Sequence, residues 1–152
     1  MSKQMVFINV TTTDLERARA FYTAIGGSIN PQFSDDNAIC VVLSETIYFM
    51  VLRREFMQTF TEKPIGEPAA SVSAMYALSY DNRADVDRVV QAGIDAGGIE
   101  PAGSPRDLGF MYSRQLEDPD GNILEFFWMD SSNVSSDGAD PEAQERLAEF
   151  GG

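Results

Sequence analysis

The sequence predicts an α+β chain built from two tandem βαβββ modules. Two helix patterns each close on a glycine pair, Gly26-Gly27 and Gly97-Gly98, about 71 residues apart. Each follows one strand pattern and precedes three more, so a single plan is written twice. A spacing of about 70 residues is too long for a solenoid repeat and suits a tandem module. With 152 residues, 43% of them apolar, the chain can bury one compact core shared by two small lobes.

The first module opens with MVFINV (5–10), a strand, and continues into TTTDLERARAFYTAIGG. Thr13 with Glu16 forms the T-x-x-E pattern of a capping box at a helix start. Leu15, Ala18, Phe21, Tyr22 and Ile25 follow at helical spacing, and Gly26-Gly27 stops the helix. SINPQF, AICVVL and TIYFMVL read as three short strands, separated by turns at Asp35-Asp36-Asn37 and Ser44-Glu45.

The second module repeats that order. SAMYALSY (73–80) is a strand, and Asn82 with Asp85 opens a helix whose inward stripe is Val86, Val89, Val90 and Ile94. A weak strand near Ile99–Ala102 comes next, then FMYSRQL (110–116), and after the turn PDGN, ILEFFWM (123–129). We divide the chain into a first module (1–62), a linker (63–72), a second module (73–130) and a polar tail (131–152). In the tail, SSNVSSDGAD reads as a flexible linker. PEAQERLAEF reads as a short acidic helix, with Leu147 and Phe150 on one face to dock on a partner chain.

Composition removes several function classes. Net charge is −13; residues 130–152 carry −5 of it, leaving −8 for the rest. With no basic cluster beyond Arg53-Arg54, neither nucleic acid nor an anionic membrane surface is an expected partner. No stretch approaches the roughly 20 apolar residues of a membrane span. MSKQMVFINV runs straight into a strand pattern rather than a signal peptide, so a cytoplasmic location is expected. Cys40 is alone and sits in CVVL as a small buried hydrophobe. Histidine is absent from the chain.

With its D-P-D-G-N-x-x-E ending, this order resembles the vicinal-oxygen-chelate superfamily of glyoxalases, bleomycin-resistance proteins and extradiol dioxygenases. The likeness covers about residues 5–129 and is strongest in VTTTDLERARAFYTAIGG, MYALSYDNRADVDRVVQAGIDAGG and EDPDGNILEF. It looks closest to a branch of predicted lactoylglutathione lyase-like proteins. The resemblance implies that each module curls its mixed sheet into half of an open barrel. It also implies metal ligands from the first and last strands of both modules, at Phe7, Met50, Met75 and Glu125. In YFMVL, a slip of one or two residues would move the second of these. Glu125 alone is a ligand type. A phenyl ring offers no donor, a thioether is soft, and such divalent sites need about three imidazole, carboxylate or thiolate ligands. No cofactor is therefore expected, and no stable metal site of the family type.

Period-two alternation sets the face that would line the pocket. Phe7 shares its side with Asn9, Met75 with Ala77 and Ser79, and Glu125 with Ile123, Phe127 and Met129. In FMYSRQL either Phe110, Tyr112 and Arg114 or Met111, Ser113 and Gln115 faces in. We expect the former set, because Arg114 would then pair with Glu125 or an anionic ligand. The expected ligand-binding residues are Phe7, Asn9, Met50, Met75, Phe110 and Phe127, with Trp128 near the rim. Glu125, Tyr112 and Arg114 are the expected catalytic groups. Each has a structural alternative: Glu125 paired with Arg114, Asn9 bonding backbone, Met50 and Met75 as core filler, Tyr112 as a packed aromatic. Asp118 and Asp120 read as turn residues.

Two functions remain open at this level. One is a metal-free protein that holds a small aromatic or thiol-conjugated molecule, as bleomycin-resistance relatives do. The other is a lactoylglutathione lyase-like or dioxygenase-like enzyme using Glu125 as base or metal ligand. The family also implies a homodimer.

Overall fold

A computed structural model describes residues 2–133, so the expectations for the remainder of the tail lie outside the described residues. The first module runs β1 (Val6–Thr12), α1 (Leu15–Ala24), β2 (Ser28–Ile29), β3 (Ala38–Val42), β4 (Ile47–Arg53) and a four-residue α2 (Arg54–Met57). The second runs β5 (Met75–Ser79), α3 (Arg83–Asp95), β6 (Arg106–Asp107), β7 (Met111–Glu117) and β8 (Ile123–Met129). Each module forms an open four-stranded mixed sheet, in the orders β1-β4-β3-β2 and β5-β8-β7-β6. The first and last strands of each module pair in parallel, and the remaining ladders are antiparallel. Two tandem βαβββ modules are what the sequence predicts.

Alternation along the strands explains where the core sits. One side of the first sheet presents Val10, Ile39, Val41, Phe49 and Val51, and one side of the second presents Leu116, Leu124 and Phe126, all buried. These join Leu15, Ala18, Phe21, Tyr22 and Ile25 of the first helix pattern and Val86, Val89 and Val90 of the second in one apolar cluster. The predicted stripes are therefore the packed ones, with Ile94 at the margin. Tyr22 lies against Phe49, and Phe49 meets Tyr76 edge-on across the two modules. The modules thus share one core. Gly26 and Gly97 have φ of 108° and 103°, left-handed backbone that ends both helices without a Cβ penalty.

Several local expectations are corrected. Asp14, not Thr13, caps α1, its side chain accepting from Arg17 N, which frees Thr13 for a contact described below. In α3 the Asn82 cap and its exchange with Asp85 stand as read. The SINPQF strand shrinks to two residues because Pro31 has no N–H and Asn30 caps a 3-10 turn over Pro31–Phe33. Ile99 makes only an isolated bridge to Glu117, and the fourth strand of the second sheet is instead Arg106–Asp107. Among the described residues, no helix is long and apolar enough to cross a membrane.

Candidate functional site

Both helices pack on one side of the sheets, leaving each sheet an open face. On the first sheet this face carries Phe7 and Asn9 of β1 opposite Tyr48 and Met50 of β4. On the second it carries Met75 and Ala77 of β5 opposite Ile123 and Glu125 of β8, with Gln115 of β7 on the far side of Glu125. Phe7 is diagonal to Met50 just as Met75 is diagonal to Glu125, so YFMVL needs no slip: the four positions occupy equivalent places in the two modules. The Phe7 and Tyr48 rings stack at 4.4 Å with planes 10° apart. Phe7 and Met75 are 46% and 47% exposed, a large apolar surface to leave in water. Met50 and Phe127 are half-buried on the same faces. Neither methionine is core filler.

Glu125 is half-buried, and its carboxylate makes no hydrogen bond or ion pair among the described residues. Its expected partner is elsewhere. Arg114 and Tyr112 stand opposite Phe126 and Trp128, on the helix side of the sheet. The Arg114 guanidinium donates to both Glu100 carboxylate oxygens at 2.8 and 2.6 Å and to Asp87 at 3.0 Å; the Tyr112 hydroxyl donates to Asp87 at 2.6 Å. Hydrogen bonding to Arg114 holds the Glu100 carboxyl below the ordinary glutamate range, against burial that raises it. Trp128 and Tyr112 lie under the Arg83 guanidinium, which also pairs with Asp107, so Trp128 is not at the pocket rim. Phe110 precedes β7 in a bend, half-buried, with its carbonyl accepting from Asp130 N. The expected inward set in FMYSRQL is therefore reversed, and Met111, Ser113 and Gln115 share the face of Glu125. The signal was present: Leu116 has the parity of Arg114, and an apolar residue beside the DPDG turn belongs to the core. Tyr48 is an open-face residue that the sequence reading missed, and Gln115 is one that it weighed and set aside.

Asn9 Nδ2 donates back to Phe7 O at 3.3 Å, a bond within its own strand that leaves its side-chain oxygen available. Asp118 serves its turn as expected, accepting from Asp120 N and Asn122 N. It also takes a 2.7 Å hydrogen bond from the fully buried Tyr22 hydroxyl of the other module. Burial pushes the Asp118 carboxyl up, while hydrogen bonds from Asn122 and Tyr22 pull it down; burial with Asp118 alongside raises the Tyr22 phenol strongly. Asp120 is more than a turn residue. One oxygen accepts from Thr13 N, Thr13 Oγ1 and Arg17 Nη2 at 2.9, 3.1 and 2.8 Å, clasping the start of α1.

The donor set does not fit a divalent ion of the family type. Phe7, Met50 and Met75 supply no carboxylate, imidazole or thiolate, and Glu125 supplies one. Cys40 stands opposite Met50, but burial pushes its thiol up, away from the thiolate that metals bind. No group of three potential His, Cys, Asp or Glu ligands occurs among the described residues.

Comparison with known proteins agrees with this architecture. The family model for the Glyoxalase/Bleomycin resistance protein/Dioxygenase superfamily matches residues 4–126. The hypothetical protein SA1046 from S. aureus superposes with a TM-score of 0.69 at 24% identity, over 84% of this chain and 95% of its own. A glyoxalase/bleomycin resistance protein/dioxygenase family enzyme from Burkholderia phytofirmans PsJN gives 0.68 at 17% identity, over 84% and 99%. The fosfomycin resistance protein FosX from Mesorhizobium loti gives 0.59 at 18%, over 84% and 93%. At these identities the likeness speaks to fold alone. No curated protein matches the sequence.

Proposed function

Because the chain belongs to the glyoxalase/bleomycin resistance protein/dioxygenase superfamily, we propose that it binds a small molecule on its open faces around Glu125, without a family-type metal ion. One observation carries this reading. Of the four equivalent positions only Glu125 is a metal donor, and its unpartnered carboxylate sits among aromatic and thioether side chains. Apolar walls with a few placed polar groups suit a partly aromatic or thiol-conjugated ligand, with Phe7, Asn9, Met50, Met75 and Phe127 in contact with it. Exposed apolar side chains on both open faces also support a homodimer, in which a second copy covers them. A net charge of −13 argues against nucleic acid or anionic membrane as partner, and we place the protein in the cytoplasm.

The free carboxylate also favours a second reading, a lyase or isomerase. Glu125 would take a proton from carbon beside a carbonyl and return it to a neighbouring carbon, with the Asn9 amide stabilising the developing oxyanion. Tyr112 and Arg114, on the opposite side of the sheet, take no part. Without a metal the enolate loses several kcal/mol of stabilisation, about 3 or more, which favours the binding protein.

Thermal-shift screening against glutathione conjugates, aromatic antibiotics and catechols tests both. The binder reading expects a ligand that raises the melting temperature, is not turned over, and binds less well to Glu125→Gln. Turnover abolished in Glu125→Gln with binding retained would establish the enzyme instead. A ligand indifferent to Glu125 would remove the site.

A further inference from the structure

A cleft of about 330 Å³, bordering the open face at Asn9 and Ile123 but not including Glu125, lies where the end of β1 and the start of β5 pass beneath the linker. Its wall includes Asn9 and Thr11 of β1, Met57, Lys63, Tyr76 of β5 and Ile123 of β8. We infer that this cleft is a second ligand site, for a small carboxylate with an apolar body. The inference does not rest on the open-face reading.

The linker is built as a fixed strap rather than a loose connection. Arg54 donates to Gly66 O at 2.7 Å and Ile65 O at 3.3 Å. Gln58 Nε2 donates to Thr61 O and Lys63 O at 2.8 and 2.9 Å, and Lys63 N donates to Thr61 Oγ1 at 3.1 Å. From the other side the DPDGN turn supports the strap. Gly121 has φ of 99°, and a Cβ there would meet Ala69 Cα at 2.7 Å, so only glycine lets the two backbones approach. The Lys63 backbone is thereby held at both its N–H and its carbonyl.

Three donors at this cleft have no partner among the described residues: the Lys63 ammonium and the Tyr76 and Thr11 hydroxyls. Thr11 is only 7% exposed, yet its hydroxyl is bonded to nothing described. The Tyr76 ring is anchored edge-on against Phe49 in the core, and burial raises its phenol, keeping it a donor. One acid, Glu67, is itself part of the cleft wall, and Arg54 faces it at 3.7 Å, which offsets its charge. One cation on a held backbone and two hydroxyls, beside Met57, Ile65, Val72 and Ile123, select a carboxylate attached to an apolar group. The volume sits at the small end of ligand pockets, about 300–1,000 Å³.

Calorimetric titration of the full chain with phenylacetate, and with phenylacetamide as its neutral counterpart, tests the site. Phenylacetate should bind about tenfold or more tighter than the amide. Lys63→Met should remove that advantage, Tyr76→Phe should weaken phenylacetate severalfold, and Glu125→Gln should leave it unchanged. Absence of phenylacetate binding at millimolar concentration, equal binding of acid and amide, or full affinity in Lys63→Met would overturn the inference. Loss of binding in Glu125→Gln would assign the molecule to the open face and overturn it equally.

Discussion

At the middle of its last strand the first module has Met50 and the second has Glu125, each diagonal to an apolar residue two places back on the parallel neighbour, Phe7 or Met75. Behind the sheets the modules match closely: Phe49 and Val51 occupy in one the places of Leu124 and Phe126 in the other, all fully buried. Packing has kept the two modules alike where they share a core and left them free to differ where they do not. A carboxylate was admissible at the open midpoint of β8 because water or a ligand reaches it; one residue further along, at Phe126, an unpaired carboxylate would be costly.

The largest effect that sharpens this comparison comes from the matched core. Phe49→Ala and Phe126→Ala should each cost about 3–5 kcal/mol of stability in denaturant titrations. Both variants should still unfold in one transition, because the cluster spans the modules; two separated transitions would break the shared-core picture. Next in size is the bond between modules. Tyr22→Phe leaves the buried Asp118 carboxylate one donor short and should cost about 1–3 kcal/mol.

The two faces of the second sheet should respond oppositely. Arg114→Met strands Glu100 and should destabilise the fold by about 1–3 kcal/mol while leaving open-face ligand binding intact. Glu125→Gln should change stability by no more than about 0.5 kcal/mol and should weaken that binding. The acid side carries a finer signature. Glu100 holds its proton less tightly folded than unfolded, so its contribution is present above the ordinary glutamate range, about 4.3, and is lost as pH falls through its lower folded value. Glu100→Gln should flatten the acid limb of the stability profile as pH falls below the ordinary glutamate range. Asp118 has the opposite sign: its carboxyl is raised, so its contribution is present at low pH and is lost as pH rises through the folded value.

What was legible in the sequence follows from which interactions are local. Helix stripes, glycine stops and the Asn82 cap are written within a few residues, and they placed both modules correctly. Shifts of one residue were harder: both Thr13 and Asp14 are cap formers, and the choice fell to Asp120, 107 residues downstream of the Thr13 it engages. The face of β7 was misjudged because a possible Arg114–Glu125 attraction was weighed above the parity of Leu116. The Glu100–Arg114 pair joins β7 to a segment that looked like a weak strand, so nothing local announced it. The open-face identities Phe7, Asn9, Met50, Met75 and Glu125 were readable because strand alternation is itself local. The strap that fixes Lys63 depends on side chains reaching across a linker, which no periodicity records.

Titration of Zn(II), Ni(II) and Mn(II) into the purified full chain and into Glu125→Gln reaches the central claim most directly. A lone carboxylate at the four equivalent positions predicts weak uptake that never saturates near one ion per chain. Saturable, tight binding near one ion per chain in the native protein, lost in Glu125→Gln, would contradict it.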